Sequence, residues 1–555
     1  MKVLLVAVNA KYIHSNPAVY CLRAYAAEFQ EYIEIAEYTV NNRAEAILAD
    51  LFRRRPQVIA FSCYIWNWKV IQELLPEIPK VMPGIHIWLG GPEVSFDAPE
   101  ILACFPQLTG IMLGEGEETF RELMEYYCNS SKELTNVSGI CLPGSGATGT
   151  RALGNLDSFP FPYENMEEFR NRILYYASSR GCPFRCSYCL SSIDKSVRLR
   201  SLDLVKQELL VFLEQKVPQV KFVDRTFNCN HAHALGIWRF LKEHDNGVTN
   251  FHFEIAADLL NEEELSLLET LRPGMVQLEI GVQSTNLQTL REIHRTADFE
   301  RLKEAVLRIR NGKNIHMHLD LIAGLPMEDY DSFVTSFNMV YFLGPDQLQL
   351  GFLKVLKGSC MYEKAEVYGI SYHSAAPYEV LYSKWLSYEE VLKLKRVEEM
   401  LEVYYNSRQF TNTLRVLEQV FPHPFRLYEE LASYYEAQGF AVNSPARSRR
   451  YEILLEFAVL KDGQREALYR ELLTFDLYLR EKCKSRPAFA TDRAPFRDAL
   501  RSREGDKKEH VEIFFYPVWE SGRETAEKRR REPYFVRFCY EKRDPLSHNA
   551  EITIL

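Results

Sequence analysis

No stretch of this 555-residue chain is apolar for long enough to cross a bilayer. The opening Met1-Lys2-Val3-Leu4-Leu5-Val6-Ala7-Val8 is too short an apolar run for a signal-peptide core with its cleavage site, and it reads as a buried strand. Both absences predict a cytoplasmic protein in a reducing compartment, where thiols hold metal instead of pairing with each other. An excess of positive charge is missing too. With 67 Lys and Arg against 76 Asp and Glu the formal charge is -9, which argues against a general nucleic-acid surface. The one basic run, Lys528-Arg529-Arg530-Arg531, reads as a solvated loop.

Cysteine is not scarce, but paired CxxC knuckles are. Twelve cysteines include a single close group, Cys182-Pro183-Phe184-Arg185-Cys186-Ser187-Tyr188-Cys189, directly after the apolar Ile173-Leu174-Tyr175-Tyr176-Ala177. One loop of that spacing can wrap three thiolates around one metal group. A 4Fe-4S cube usually takes four thiolates, so three leave one iron open to a small molecule. The alternative is a structural zinc ion completed by Cys63, Cys229 or a histidine. Zinc sites of this kind usually pair two separated C-x2-C halves, and no second half exists here. The other nine cysteines read as small core residues.

At this length the chain divides into about three domains. Over the first 135 residues buried-strand runs alternate with amphipathic helices: Val3 to Val8, Val58 to Ser62, Ile85 to Leu89 and Ile111 to Leu113, against Ala18 to Phe29, Lys69 to Ile78 and Glu117 to Tyr127. That alternation predicts a doubly wound parallel sheet, with ligands at the carboxyl ends of its strands. The loops there are Asn9 to Pro17, Cys63 to Trp68, Gly90-Gly91-Pro92-Glu93 and Gly114-Glu115-Gly116-Glu117, and their glycines let backbone approach a bulky ligand. Residues 136–168 contain a Gly/Ser/Thr/Pro-rich stretch, Leu142 to Pro162, and read as a linker.

Strand and helix alternate again over 169–370: Tyr175 to Ser178, Val220 to Val223, Phe251 to Ile255, Met275 to Ile280, His316 to Ile322 and Leu348 to Phe352, with helices such as Leu202 to Leu213 and Phe299 to Arg310 between them. Residues 371–555 break the alternation. Tyr388 to Tyr405, Leu427 to Ala437 and Arg450 to Leu460 have helical spacing, and the strands Val511 to Tyr516, Tyr534 to Tyr540 and Glu551 to Leu555 close the chain as a mainly helical α+β region.

The cysteine spacing, with an aromatic residue before the third cysteine, resembles the signature of radical S-adenosylmethionine (SAM) enzymes. In that family SAM chelates the fourth iron of a 4Fe-4S cluster through its amino and carboxylate groups. The resemblance implies a partial (β/α)6 barrel of the TIM type, with the cysteine loop after its first strand. It also implies Cys182, Cys186 and Cys189 as cluster ligands, with SAM contacts from Tyr188, Asp224, Glu254, Gln283 and Gly324. Asp224 lies in Phe222-Val223-Asp224-Arg225-Thr226-Phe227, which resembles an F-x-D-x-x-F variant of cobalamin-dependent members; a loop aspartate capping a turn is the plain alternative. Gln283 stands in Leu278-Glu279-Ile280-Gly281-Val282-Gln283-Ser284, where many members have glutamate, and Gly324 in Gly324-Leu325-Pro326.

Placed before such a barrel, the GGPE and GEGEETF loops resemble the cobalamin-binding domain of one radical SAM subclass. They imply cobalamin contacts from Asn9, Ser62, Tyr64, Gly90, Gly91, Glu93, Glu115, Gly116 and Glu117. The D-x-H-x-x-G motif that supplies a histidine to cobalt in mutases is absent: His14 has Tyr12 two residues before it and Pro17 three after. Cobalamin is therefore expected to bind without a histidine ligand. The resemblance implies reductive cleavage of SAM to a 5′-deoxyadenosyl radical, cobalamin-dependent methylation or rearrangement of a substrate, and a flavodoxin- or ferredoxin-like electron donor. Two alternatives remain: a methylthiotransferase-like enzyme using Cys21, Cys63 and Cys104 for a second cluster, and a non-catalytic cobalamin or redox sensor.

Overall fold

The structure, a computed structural model, describes residues 1–555 apart from 130–132, 195, 441–443, 504, 507 and 522–527. It divides into two compact units: Met1–Glu279 with Leu290–Ala305 and Phe352–Lys384, and Ile280–Thr289 with Val306–Gly351 and Trp385–Leu555. No helix among the described residues is long and apolar enough to cross a membrane.

The first unit opens with a seven-stranded sheet of β1 (Val3–Asn9), β2 (Ile33–Thr39), β3 (Val58–Ser62), β4 (His86–Gly90), β5 (Gly110–Met112), β6 (Ile140–Leu142) and β7 (Gly146–Ala147), in the order β2-β1-β3-β4-β5-β6-β7. β2 to β5 and β1 pair in parallel, while β6 and β7 add an antiparallel hairpin at the edge. β1 and β3 are wholly buried, because helices cover both faces of a parallel sheet and leave no solvated side for alternation. The order reverses between β1 and β3, which opens a crevice at their carboxyl ends. β2 and the hairpin β6-β7 were not expected from the sequence. The hairpin lies inside the stretch that reads as a linker, so part of that stretch belongs to the sheet.

The second run of strands begins with β8 (Leu174–Tyr176), followed by the short antiparallel pair β9 (Ser179–Arg180) and β10 (Arg198–Leu199) that brackets the cysteine loop. Then come β11 (Gln219–Phe222), β12 (Asn250–Ile255), β13 (Val276–Gln283), β14 (His316–Ala323) and β15 (Gln347–Phe352), in the sheet order β15-β14-β13-β12-β11-β8. Spatial order follows chain order with helices between strands, the arrangement of a partial (β/α)6 barrel. β13 passes from one unit to the other along its length. Within the first unit β8, β11 and β12 are parallel. Phe222 and Phe253 face the covering helices and meet Phe227 and Trp238 in one aromatic cluster. The segment Phe352–Lys384 closes this unit with the short hairpin β16 (Ser371–Tyr372) and β17 (Val380–Tyr382).

In the second unit, the helix Tyr388–Met400 runs on as a wider π-helical turn, Leu401–Asn406. The helices Thr411–Leu417, Pro424–Ala437, Arg447–Lys461 and Glu466–Arg480 follow, then the antiparallel β18 (Glu509–Phe514), β19 (Tyr534–Arg543) and β20 (Ala550–Ile554). Glu466–Arg480 is the core helix, buried over most of its length. Its Asp476 accepts from the Asn412 and Thr413 backbone N–H groups and from both side chains, which satisfies orphan donors at the start of Thr411–Leu417. Asn406, on the π-turn, donates to the Leu348 carbonyl and accepts from its N–H, both at 2.9 Å. β15 is an edge strand, and this side chain occupies a rung that a neighbouring strand would otherwise fill.

Replacing Asn406 by Ala leaves both Leu348 backbone groups unpaired in a buried setting. We expect a loss of about 1–3 kcal/mol in chemical denaturation followed by circular dichroism; a change within error would show that water substitutes for the amide.

Candidate functional site

A cavity of about 460 Å³ lies in the crevice at the carboxyl ends of the N-terminal sheet. Its walls come from Pro17, Ala18, Val19, Cys21 and Leu22 after β1, Ser62 and Tyr64 at the end of β3, Gly90 to Pro92 at the end of β4, and Gly114 to Glu117 after β5. The chain that carries β8 supplies the facing wall, with Tyr175, Tyr176, Ala177, Ser179, Arg180 and Gly181. Gly181 is followed immediately by Cys182, so the cavity wall runs directly into the cysteine loop.

Two glycines set this geometry. Gly91 has φ +113, and a Cβ there would come within 2.5 Å of the Cys63 carbonyl oxygen. Gly181 has φ +91, and its Cβ would lie 1.9 Å from the Ser196 carbonyl oxygen, where the two ends of the cysteine loop close on each other. Neither position accepts a side chain without displacing backbone.

Of the cobalamin contacts expected from the sequence, Ser62, Tyr64, Gly90, Gly91, Glu115, Gly116 and Glu117 line the cavity, whereas Asn9 and Glu93 do not. Asn9 donates to the His14 carbonyl and to Glu37. Glu93 accepts from the Tyr378 hydroxyl, and burial raises its carboxyl above the ordinary range. His14 is likewise no cavity residue: its Nδ1 is 2.6 Å from the Tyr175 hydroxyl, and burial, with Lys11 and Lys221 nearby, lowers its pKa.

Most charged residues of the cavity wall are tied to one another. Arg180 bonds Glu117 at 2.5 Å and Glu115 at 3.1 Å, and its guanidinium lies 4.7 Å from the Phe159 ring centre. Arg198 also pairs with Glu115. Burial disfavours the Glu115 charge, but hydrogen bonds from Arg198 and Arg180 outweigh it and hold the pKa below the ordinary value. Arg200 bonds Glu208 and the carbonyls of Leu156 and Phe159, which fastens the supposed linker to the cavity rim. Leu156, Phe159, Pro160 and Pro162 therefore line the cavity. Sequence reasoning missed them, although Phe159-Pro160-Phe161-Pro162 is too apolar for a solvated linker.

In the cysteine loop Cys182 and Cys186 are buried and Cys189 is partly exposed. The loop is pinned from two directions: Ser187 N–H donates to the Ile293 carbonyl at 2.9 Å, and Met361 N–H donates to the Ser187 carbonyl at 2.8 Å. Cys182 Sγ lies 3.6 Å from Thr226 Oγ1, and Arg295 donates to Cys186 Sγ at 3.7 Å. Burial raises the Cys186 thiol pKa, with Arg295 acting against it. Neither Arg295 nor the anchoring carbonyl carried any signal in the sequence. A thiol-only donor set suits iron-sulfur or zinc and excludes hard cations.

Asp224 is fully buried and receives hydrogen bonds from the Ser178 backbone and from the Ser178 and Ser179 hydroxyls. It thus fixes the turn between β8 and the cysteine loop, and burial raises its carboxyl despite those bonds. Tyr188 sits within the loop, partly buried, with burial the leading cause of its raised pKa. Glu254, on β12, lies 3.9 Å from the Lys221 ammonium, which also bonds Glu279 at 2.9 Å. Gln283 and Gly324 belong to the second unit, where both take positive φ, +71 and +88. There Ser284 donates to Glu328, whose buried carboxyl is pushed up to about 7.

The cysteines proposed for a second cluster do not converge. Cys63 is in the core with its thiol toward the Phe61 carbonyl, Cys104 is on the surface at the end of the helix Ala98–Cys104, and Cys21 lines the cavity.

Gly181→Ala should spread the two ends of the cysteine loop. Iron and sulfide content after anaerobic reconstitution are expected to fall several-fold while far-ultraviolet circular dichroism stays unchanged; full iron content would show that the loop tolerates the side chain.

Three family matches follow the same order along the chain: the B12 binding domain over residues 3–124, the Radical SAM superfamily over 176–340, and a protein of unknown function, DUF4080, over 366–531. The chain is 28% identical over 302 residues to 2-(S-pantetheinyl)-carbapenam-3-carboxylate methyltransferase of Streptantibioticus cattleyicolor, covering 50% of this chain and 44% of that protein. It is 27% identical over 338 residues to the cobalamin-dependent radical SAM methyltransferase TokK of Streptomyces tokunonensis, covering 56% and 47%. It thus spans about half the length of the curated relatives it matches. The solved structure of the cobalamin-dependent S-adenosylmethionine radical enzyme OxsB, with aqua-cobalamin and S-adenosylmethionine bound, is similar with a TM-score of 0.58 and 16% identity, over 85% of this chain and 78% of that one. At that identity the likeness speaks for the fold. With a doubly wound domain ahead of a three-cysteine barrel, and family matches to each, the chain is a radical SAM protein with an N-terminal B12 binding domain and a C-terminal DUF4080 domain.

Proposed function

We propose that this protein is a radical SAM enzyme that carries out cobalamin-dependent methyl transfer, or a related rearrangement, on a substrate carbon. The observation that carries the reading is the continuity of one wall: Ala177, Ser179, Arg180 and Gly181 border the cavity of the B12 binding domain and lead straight into Cys182. Two cofactor sites are thereby set on successive residues of one fixed segment.

The residues present fit both groups. Cys182, Cys186 and Cys189 offer three thiolates for a 4Fe-4S cluster, and Gly90, Gly91, Gly114 and Gly116 form a glycine-walled cradle closed by Ser62, Tyr64, Glu115 and Glu117. When bound, the cluster and SAM supply one-electron reductive cleavage, and cobalamin supplies a transferable methyl group. The chain's own residues provide placement. Asp224 holds Ser178 and Ser179, which aim the cysteine loop. The Arg180, Arg198, Glu115 and Glu117 network keeps the cavity rim rigid without leaving an unpaired buried charge. Phe159, Pro160 and Pro162 limit water access.

We assign residues 1–135 to cobalamin binding, 169–370 to the barrel and 371–555 to an accessory role. Twelve free cysteines support a reducing, cytoplasmic setting, and a flavodoxin- or ferredoxin-like donor is the class of reductant such a cluster needs.

Two measurements test the reading. Reduced, cluster-loaded protein incubated with SAM should form 5′-deoxyadenosine, and Cys186→Ala should reduce it to background; equal yields from both would defeat the enzyme reading in favour of a sensor. Gly116→Leu places a branched side chain on the cavity wall, where a Cβ meets only Leu22 at 3.2 Å. Hydroxocobalamin titrated by its visible spectrum should bind at least tenfold more weakly to this variant, with unchanged thermal melting; undiminished binding would remove cobalamin from this cavity.

A further inference from the structure

We infer that Arg295 sets the reduction potential of the cluster held by Cys182, Cys186 and Cys189; the inference rests on the cluster assignment above. Arg295 belongs to the Leu290–Ala305 segment of the first unit and is joined to the cysteine loop twice. Its guanidinium donates to Cys186 Sγ at 3.7 Å, and two residues earlier the Ile293 carbonyl accepts from Ser187 N–H at 2.9 Å. The backbone contact fixes the register between the two segments, so the cation is held beside one particular sulfur. The turn that presents it is closed by Arg295 N–H donating to the Leu290 carbonyl at 2.9 Å.

The three thiols are not equivalent in this respect. Cys182 meets the neutral Thr226 hydroxyl, while Cys186 receives a guanidinium hydrogen bond. Reduction brings one electron from a low-potential flavodoxin- or ferredoxin-like donor and adds one negative charge, shared by iron and thiolate sulfur. A fixed cation and an N–H···S bond stabilise that added charge more than the oxidised state, and so raise the potential. The Asp258 carboxylate also attracts the Arg295 charge. Arg295 accordingly acts through the Cys186 sulfur, as a positioning residue for the electron.

The test is a redox titration of the full, anaerobically reconstituted chain, followed by electron paramagnetic resonance without SAM, with iron and sulfide content measured on each sample. In Arg295→Gln the reduced-to-oxidised ratio at a fixed potential should fall about tenfold, equivalent to about 59 mV for one electron. Arg295→Lys, which keeps the charge, should recover part of the loss. Asp258→Asn should move the midpoint the other way, and it keeps an oxygen for the Asp298 N–H that Asp258 now accepts at 3.1 Å. An unchanged midpoint in Arg295→Gln with full cluster content overturns the inference. Should that variant fail to hold a cluster, Asp258→Asn decides: a higher midpoint supports the assignment, and an unchanged or lower one overturns it. A wild-type chain that takes up no four-iron cluster would instead remove the cluster assignment itself.

Discussion

The turn between β8 and the cysteine loop depends on one buried carboxylate. Asp224 takes hydrogen bonds from Ser178 and Ser179 and so determines where the chain leaves the barrel and where Cys182 begins. A carboxylate buried this fully is costly unless its lone pairs are satisfied, and here three donors from a single neighbouring segment satisfy them. The same segment forms the cavity wall. One local polar cluster therefore fixes the separation between two binding regions that are otherwise built on different sheets of the first unit.

Around that anchor the site uses close backbone approach and paired charge. Gly91 brings the loop after β4 onto the Cys63 backbone, and Gly181 does the same for the two ends of the cysteine loop. Arg180, Arg198 and Arg200 are all paired with glutamates, so much of the charge around this largely apolar cavity is compensated locally. Such a wall accommodates a large, mostly neutral ligand better than a strongly charged one.

Much of this was legible in the sequence, for identifiable reasons. The buried strands β1, β3, β4 and β5 stand out as short apolar runs because parallel strands are covered on both faces. β2 escaped the same test: Ile33-Glu34-Ile35-Ala36-Glu37-Tyr38-Thr39 lies at the sheet edge, only Ile33 and Ala36 are buried, and no apolar run forms. The cysteine spacing pointed to metal chemistry because thiols on one loop are close in sequence. Arg295 is 109 residues from Cys186, and only the fold brings them together. Glu93 shows the converse. Its loop position suggested a ligand contact, yet a tyrosine 285 residues later claims its carboxylate.

That tyrosine belongs to the segment Phe352–Lys384, which is part of the first unit and binds the rest of it at separated points. Met361 binds the cysteine loop at the Ser187 carbonyl, while Tyr378 and Lys357 hold Glu93 and Asp97 beyond β4. A strap fastened at both ends works as a spacer of fixed length. The loop that borders the cavity and the loop that carries the cysteines cannot swing open separately without tearing one of these fastenings. Shortening or lengthening the strap by a residue would shift the distance between the two loops while leaving every residue that lines the cavity, and all three cysteines, untouched.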